Sequence, residues 1–198
     1  MVPVIVAAAE QTAGLPWGWI IAGGVAAAVM LAIAIYNSLV AQQVRCDNAW
    51  SDIDVQLKRR HDLIPNVVEA VKEYVGYEKG TLESVISART RAMGASGAKD
   101  AAAAETMLSG ALKNLFALAE QYPQLKGSEQ FSHLQESLSQ IEDALQSARR
   151  YYNATVRELN SSVRMFPSNL IAGLGGFTAR DFFEVGEAER AVPSVKMS

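Results

Sequence analysis

The sequence has little of what metal and redox sites require. Its 198 residues include a single cysteine, Cys46, and two histidines, His61 and His133. One thiol cannot form an intramolecular disulfide, and two imidazoles this far apart in the chain do not have zinc-ligand spacing. The sequence therefore predicts no metal site, no disulfide framework and no cofactor.

A strong charge of either sign is also lacking. Eighteen basic residues stand against 21 acidic ones, so no basic field attracts a phosphate backbone, and we expect no nucleic-acid partner. The sequence contains no HExxH string, no paired-cysteine motif and no phosphate-binding glycine loop after a strand. We therefore expect a protein with no catalytic activity of its own.

Charge is missing altogether from a long stretch near the N-terminus. Between Glu10 and Arg45 there is no Asp, Glu, Lys or Arg. Within this gap, the run WGWIIAGGVAAAVMLAIAIY would form a helix about 30 Å long, which matches the hydrocarbon thickness of a bilayer. We predict a transmembrane helix over residues 16–36, with the lipid bilayer as a partner.

The ends of this run support a membrane span. Trp17 and Trp19 begin it and Tyr36 ends it, and these side chains favour the headgroup interface. A cleaved signal peptide would need basic residues before the apolar run, and none is present. Because Arg45 follows the run and no basic residue precedes it, the positive-inside rule predicts residues 1–15 outside and the rest of the chain in the cytoplasm.

Small residues recur within the run at Gly24, Ala28 and Ala32. This spacing allows a second transmembrane helix to approach closely, and it would support a homo-oligomer. The alternative is that an alanine-rich run shows such spacing by composition alone. Both interpretations remain open from the sequence.

Beyond the run, apolar residues recur at helical spacings of three and four. The sequence predicts four helices, which run from the membrane to Val75, from Leu82 to Met93, from an N-cap at Asp100 to Tyr122, and from an N-cap at Ser128 to Phe166. No segment alternates like a strand. We predict an all-α protein, an N-terminal transmembrane helix followed by an elongated antiparallel four-helix bundle over residues 37–166, with a tail, residues 167–198, partly packed on it.

The first of these helices carries the charged sequence SDIDVQLKRRHDLI, residues 51–64. Consecutive helical residues point in different directions, so these charges do not converge on a catalytic pocket. Arg60 is the exception, because the helical period places it on the apolar stripe, where it needs a carboxylate from another helix. We predict a structural ion pair, with ligand binding as the alternative. The candidate partners are Glu120, Glu136, Glu142 and Asp143.

Pro65 interrupts the same helix. A proline has no backbone N–H, so the carbonyl of His61 loses its helical donor. We expect a bend at this point, or a side chain recruited to that carbonyl. A kink that sets the tilt of the bundle is the functional interpretation, and a kink absorbed passively by packing is the structural one.

The dipeptide Tyr-Asn occurs twice, as Tyr36-Asn37 and as Tyr152-Asn153. In an antiparallel bundle the last helix returns towards the membrane, so the sequence suggests that the two dipeptides are neighbours there. Their rings would pack together and their amides would bond to backbone groups. A juxtamembrane collar and packing alone are the two interpretations.

The tail presents Phe177, Phe182 and Phe183. Aromatic side chains of this kind either fold back on the bundle or contact a partner. We expect Phe177 to fold back, and the sequence leaves both alternatives open for Phe182 and Phe183.

Several ordered strings resemble the LemA family of bacterial membrane proteins. They are YNSLV, NAWSDIDVQLKRRHDLIPNVVEAVKEY, EQYPQLK, ARRYYNATVRELN, FPSNLIAG and GFTARDFFEV. The resemblance covers nearly the whole chain and implies one N-terminal span in the bacterial inner membrane, a cytoplasmic helical bundle and no established activity. Some relatives are associated with a membrane-bound heat-shock protease, and others with bacterial membrane organelles.

The function expected from these observations is that of a membrane-anchored structural or adaptor protein. Its bundle would serve protein–protein interaction or self-assembly. One alternative is an oligomeric scaffold that shapes or organises the membrane. The other is an accessory subunit of a membrane protease.

Overall fold

The computed structural model describes residues 17–75 and 79–184. Regular structure in these two ranges is entirely α-helical, which confirms the predicted all-α class. The helices are α1 (Trp17–Val75), α2 (Lys79–Met93), α3 (Gly97–Ala119), α4 (Pro123–Lys126), α5 (Glu129–Arg164) and α6 (Ser168–Gly175). The predicted outer segment, residues 1–15, and the end of the tail, residues 185–198, lie outside the described residues.

Helix α1 is one continuous helix of 59 residues, which corresponds to a length of about 88 Å. Its side chains are exposed from Trp17 to Leu31, and the first fully buried one is Leu39. From there to Val75 buried residues recur at helical spacing, as the apolar stripe predicted. We call residues 39–75 of α1, together with α2 to α5, the helical body.

Helix α5 lies against α1 within the helical body, while α2 packs mainly on α3. Ion pairs join Arg45 to Glu158 and Arg60 to Glu142. The residue further along α1, Arg60, pairs with the residue earlier in α5, Glu142, so these two helices run in opposite directions.

Two clusters of buried apolar side chains fill the helical body. One cluster lies nearer the predicted transmembrane segment, which we call the candidate span (residues 17–36 of α1), and includes α1 residues from Cys46 to Leu57. The distal cluster includes α1 residues from Ile64 to Val75. The lone cysteine is fully buried, like a small apolar side chain. Between the clusters α1 buries Arg60 and His61, so a polar layer separates two apolar ones.

The predicted N-cap at Asp100 was wrong by four residues, whereas the one at Ser128 is confirmed. Helix α3 begins after Ser96, and the Oδ2 atom of Asp100 accepts a hydrogen bond from the Ser96 backbone N–H at 3.2 Å. A carboxylate inside the first turn can reach back to a free N–H, so an acidic residue need not be the cap itself. At Ser128, the side-chain oxygen accepts from the Phe131 N–H.

The end of α5 also differs from the prediction. We predicted a helix that runs to Phe166, but α5 ends at Arg164 and Phe166 is 78% exposed. Pro167 disfavours helical backbone at the residue before it, which explains the early end. Helix α6 follows, and residues 177–184 then run without helical structure along α5 and α1. We call residues 177–184 the strap.

Candidate functional site

The first part of α1 is long and apolar enough to cross a membrane, and none of the residues in its most apolar stretch is buried in the described structure. Trp17 and Trp19 are 72% and 79% exposed at its start. A side chain added at Gly24 would meet no other atom within 4 Å, and Ala28 is exposed while Ala32 is partly covered. The small-residue face at Gly24 and Ala28 is therefore open.

The polar layer is built around the carboxylate of Glu105, which is only 2% exposed. One of its oxygens lies 2.9 Å from Nη1 of Arg60, and the other lies 2.6 Å from Nε2 of His61. Nη1 of Arg60 also lies 3.3 Å from Glu142, and Nη2 donates to the hydroxyl of Ser109 at 2.9 Å. Residues from α1, α3 and α5 thus meet in one ion-pair network.

These contacts assign the Arg60 guanidinium to structural partners. Arg60 is buried on the stripe where the helical period placed it, and Glu142 was among the predicted partners. Glu105 was not among the predicted partners. Glu105 lies three residues before Leu108 and so on the same helical face, which was the available signal.

A side chain supplies the hydrogen bond that Pro65 removes from the backbone of α1. Nε of Arg89, on α2, donates a hydrogen bond to the backbone oxygen of His61 at 2.7 Å. This is the carbonyl that Pro65 leaves without a helical donor. The expected recruitment of a side chain is confirmed, and the donor ties α2 to α1 beside the polar layer.

Metal binding finds no support among the residues that the structure describes, because they contain no group of three His, Cys, Asp or Glu side chains that could hold an ion. The polar layer brings together four ionisable side chains, Arg60, His61, Glu105 and Glu142. Its guanidinium and carboxylates bond mainly to one another, which is typical of a network that fixes helix register.

Two asparagines on α5 hold the strap by its backbone. The amide of Asn160 donates to the Arg180 carbonyl at 2.9 Å and accepts from the Arg180 N–H at 2.8 Å. Asn153 forms the same pair of bonds with Phe183, at 3.0 and 2.9 Å. Two helical turns of α5 and three extended residues of the strap both span about 10 Å, so the two bond pairs match in spacing.

An aromatic pocket receives the end of the strap. Phe183 is 2% exposed, its ring lies 6.2 Å from that of Trp50, and the guanidinium of Arg149 lies 4.9 Å from its centroid. Phe182 packs, partly buried, against the same apolar cluster. Both phenylalanines that the sequence left open therefore fold back on the helical body.

Tyr152 joins this pocket to the strap backbone. Its ring lies 5.4 Å from that of Trp50, and its hydroxyl donates to the Asp181 carbonyl at 3.0 Å. Burial raises the pKa of the Tyr152 phenol above its ordinary value, while the nearby Arg180 partly opposes the change. Burial also raises the pKa of Asp54, and a hydrogen bond with Trp50 opposes that rise.

The two Tyr-Asn dipeptides are not neighbours. The ring of Tyr36 packs edge-on against Phe177 at 5.6 Å, and Asn37 is exposed. Tyr152 instead contacts Trp50, which lies about 21 Å further along α1 than Tyr36. The juxtamembrane collar was therefore wrong, because α5 reaches the level of Tyr36 only at its C-terminal end.

Known proteins place these features in a family. A family model described as the LemA family matches residues 49–197. Magnetosome protein MamQ 2 of Paramagnetospirillum magneticum is 23% identical over 175 residues, covering 75% of this chain and 64% of the relative. Magnetosome protein MamQ of Magnetospirillum gryphiswaldense is 23% identical over 174 residues, with the same two shares.

Protein LemA of Metamycoplasma hominis is 27% identical over 158 residues, covering 78% of this chain and 71% of the relative. The chain thus spans 64% of the length of the magnetosome relatives that it matches. The family model matches well over half of the residues, including the polar layer and the strap. The chain belongs to the LemA family.

Proposed function

We propose that this protein is a membrane-anchored structural or adaptor protein with no catalysis of its own. In this proposal the start of α1 crosses the bacterial inner membrane once, with the N-terminus outside. The helical body is an elongated antiparallel four-helix bundle in the cytoplasm that serves protein–protein interaction or self-assembly. The observation that supports it most is the continuity of α1 from the candidate span into the helical body.

Continuity matters because an unbroken helix couples the orientation of the body to that of the span. Helix α1 has no break between the exposed apolar residues and Leu39, where burial begins. The 36 residues of α5 set the height of the body at about 54 Å. A partner bound to the helical body could therefore be held at a defined distance from the bilayer, up to about 54 Å.

Insertion is tested by extracting membranes with alkaline carbonate. The wild-type chain should stay in the pellet, whereas a V25R/V29R variant should be found in the supernatant, because charged side chains in the middle of a span oppose insertion. Val25 and Val29 are both exposed, so the changes disturb no packing in the described structure. Release of the wild-type chain would contradict the anchor.

Orientation is tested with a membrane-impermeant maleimide on spheroplasts. The native thiol, Cys46, is fully buried and serves as the unlabelled background, while Ser132 on α5 is exposed and can be replaced by cysteine. S132C should react only after the membrane is permeabilised. Labelling of intact spheroplasts would place the helical body outside and overturn the orientation.

Self-assembly through the span is the more specific form of this proposal. Gly24 and Ala28 form a small-residue face that no described part of the chain covers. In mild detergent we expect a mass above that of the 21.3 kDa monomer, and a lower one for G24L/A28L, which blocks close helix approach. A monomeric wild-type chain at every concentration would exclude both the homo-oligomer and the membrane scaffold.

A membrane protease partner is the second candidate, and it is supported by the family resemblance alone. Native membranes would be cross-linked and the chain recovered under denaturing conditions. A protease enriched with the wild-type chain, but not with a chain whose span is replaced by an unrelated one, would favour an accessory subunit. Recovery of other proteins only would favour the adaptor.

A further inference from the structure

A second uncharged stretch lies at the opposite end of the chain from the candidate span. Residues 165–179 contain no Asp, Glu, Lys, Arg or His, and Arg164 and Arg180 flank them. The stretch includes the turn after α5 and all of α6. We call residues 165–175 the apolar foot.

The apolar foot exposes large apolar side chains. Met165 is 63% exposed, Phe166 is 78% exposed, Leu170 is 58% exposed and Leu174 is 88% exposed. Only Ala172 of α6 is fully buried. Four large exposed apolar residues in so short a segment form a patch of the kind that marks a contact surface.

The location of the apolar foot indicates what it contacts. Helix α6 packs on α1 and α5, and a side chain added at Gly175 would meet the ring of Tyr36 at 3.3 Å. Ala32 and Ile35 are the first residues of α1 that are partly covered. These residues belong to the last turns of the apolar run, so α6 lies level with the end of the candidate span.

We propose that the apolar foot inserts into the headgroup and acyl-chain boundary of the bilayer beside the span. Helix α6 reaches α1 at Tyr36, where the apolar run ends. Arg164 is exposed at its edge, where a cation reaches lipid phosphates while the apolar residues enter the acyl region. This inference rests on the proposed membrane anchoring of α1.

A protein partner would explain the patch less well. The exposed residues lie in α6 or directly before it, and α6 touches the candidate span itself, so a partner binding them would have to enter the same apolar zone. The bilayer already occupies that zone if the span is inserted. The lipid surface is therefore the occupant that the geometry favours.

The test places an environment-sensitive NBD dye at one introduced cysteine at a time in the full-length chain. Each labelled chain is reconstituted at low protein density in phosphatidylcholine–phosphatidylglycerol vesicles. Leu174, Val25 and Ile86 are exposed at 88%, 60% and 50%, so L174C reports the foot, V25C the span and I86C the distal body. The unmodified chain, whose Cys46 is buried, is the labelling blank. Lipids with a nitroxide on the acyl chain quench the dye by contact.

We expect the emission at L174C to be quenched by these lipids to an extent comparable with V25C, and the emission at I86C to be unaffected. In an additional F166S/L170S background, the quenching at L174C should fall while that at V25C persists. Iodide in the aqueous phase should quench I86C only.

The outcomes separate the two proposals. If V25C is quenched but L174C behaves like I86C, the apolar foot is not in the bilayer and the anchor stands. If L174C is shielded from both quenchers, protein covers it, and the inference is also overturned. If neither V25C nor L174C is quenched by lipid, the anchoring itself is wrong.

Discussion

The stability of the polar layer offers the sharpest test of the helix arrangement. Replacement of Arg60 by Met removes the cation but leaves the Glu105 carboxylate, 2% exposed, with His61 as its remaining close partner. Breaking a buried ion pair by removing one member costs about 3–5 kcal/mol of unfolding free energy. For a chain of this length that corresponds to a fall in Tm of about 6–20 °C.

A double-mutant cycle separates the ion pair from the packing of the side chains. Glu105→Gln removes the charge and keeps an oxygen that accepts from His61. The double variant R60M/E105Q has neither the Arg60 cation nor the Glu105 carboxylate, so no charge of this pair is left buried without its partner. Its loss of unfolding free energy should therefore be smaller than the sum of the two single losses, by about 1–3 kcal/mol. The measurement is urea unfolding of the detergent-solubilised chain, followed by circular dichroism at a helical wavelength.

An exposed pair provides the matched control. Arg45 and Glu158 also join α1 to α5, at 3.1 Å, but their side chains are 48% and 53% exposed. R45A should cost less than about 1 kcal/mol, since solvent screens such pairs. If R60M costs no more than R45A, or if R60M and E105Q are additive, the buried network does not hold the helices in register and the reasoning fails.

Three further predictions concern α2, the strap and pH. R89A should cost about 1–3 kcal/mol because the partly buried carbonyl of His61 loses its donor. P65A restores a helical N–H at that carbonyl and should reduce this loss in urea unfolding, whereas an equal loss in both backgrounds would contradict the role of Arg89. N153A/N160A should make the strap sensitive to limited proteolysis while the helix content stays unchanged, and unaltered protection would show that the asparagines do not hold it. The pKa of Tyr152 is raised in the folded chain, so this phenol ionises at a lower pH in the unfolded chain. Its stabilisation of the folded state is therefore fully present below the ordinary pKa of 10.0 and is lost as pH rises from there through the folded pKa. Y152F should remove this alkaline loss in Tm measurements against pH, and an unchanged profile would assign the loss to another group.

Helical periodicity predicted much of the helical body because the buried residues of each long helix recur on one face. It located the end of α1 at Val75 and the burial of Arg60. It also located the N-terminus of α5, where Ser128 provides a side-chain cap. Each of these signals is local and therefore visible in a short window of sequence.

The tail could not be predicted in the same way. Helix α6 has the sequence SNLIAGLG, whose two glycines have low helix propensity, so the sequence does not indicate this short helix, which tertiary contact with α1 stabilises. The strap is held partly through its backbone groups, which leave no pattern in its own sequence, and partly through the side chains of Phe183 and Arg180. For the backbone bonds, the available signal was the spacing of Asn153 and Asn160, which places both amides on one face of α5.

The way in which the strap is bound limits what its sequence must specify. The amides of Asn153 and Asn160 each bond to an N–H and a carbonyl, groups that almost every amino acid presents. Only Phe183 fills a closed pocket with its side chain. Thr178 and Ala179 are exposed, so their chemical identity can change without loss of docking, whereas an insertion or deletion between Arg180 and Phe183 would place one pair of bonds out of phase with α5.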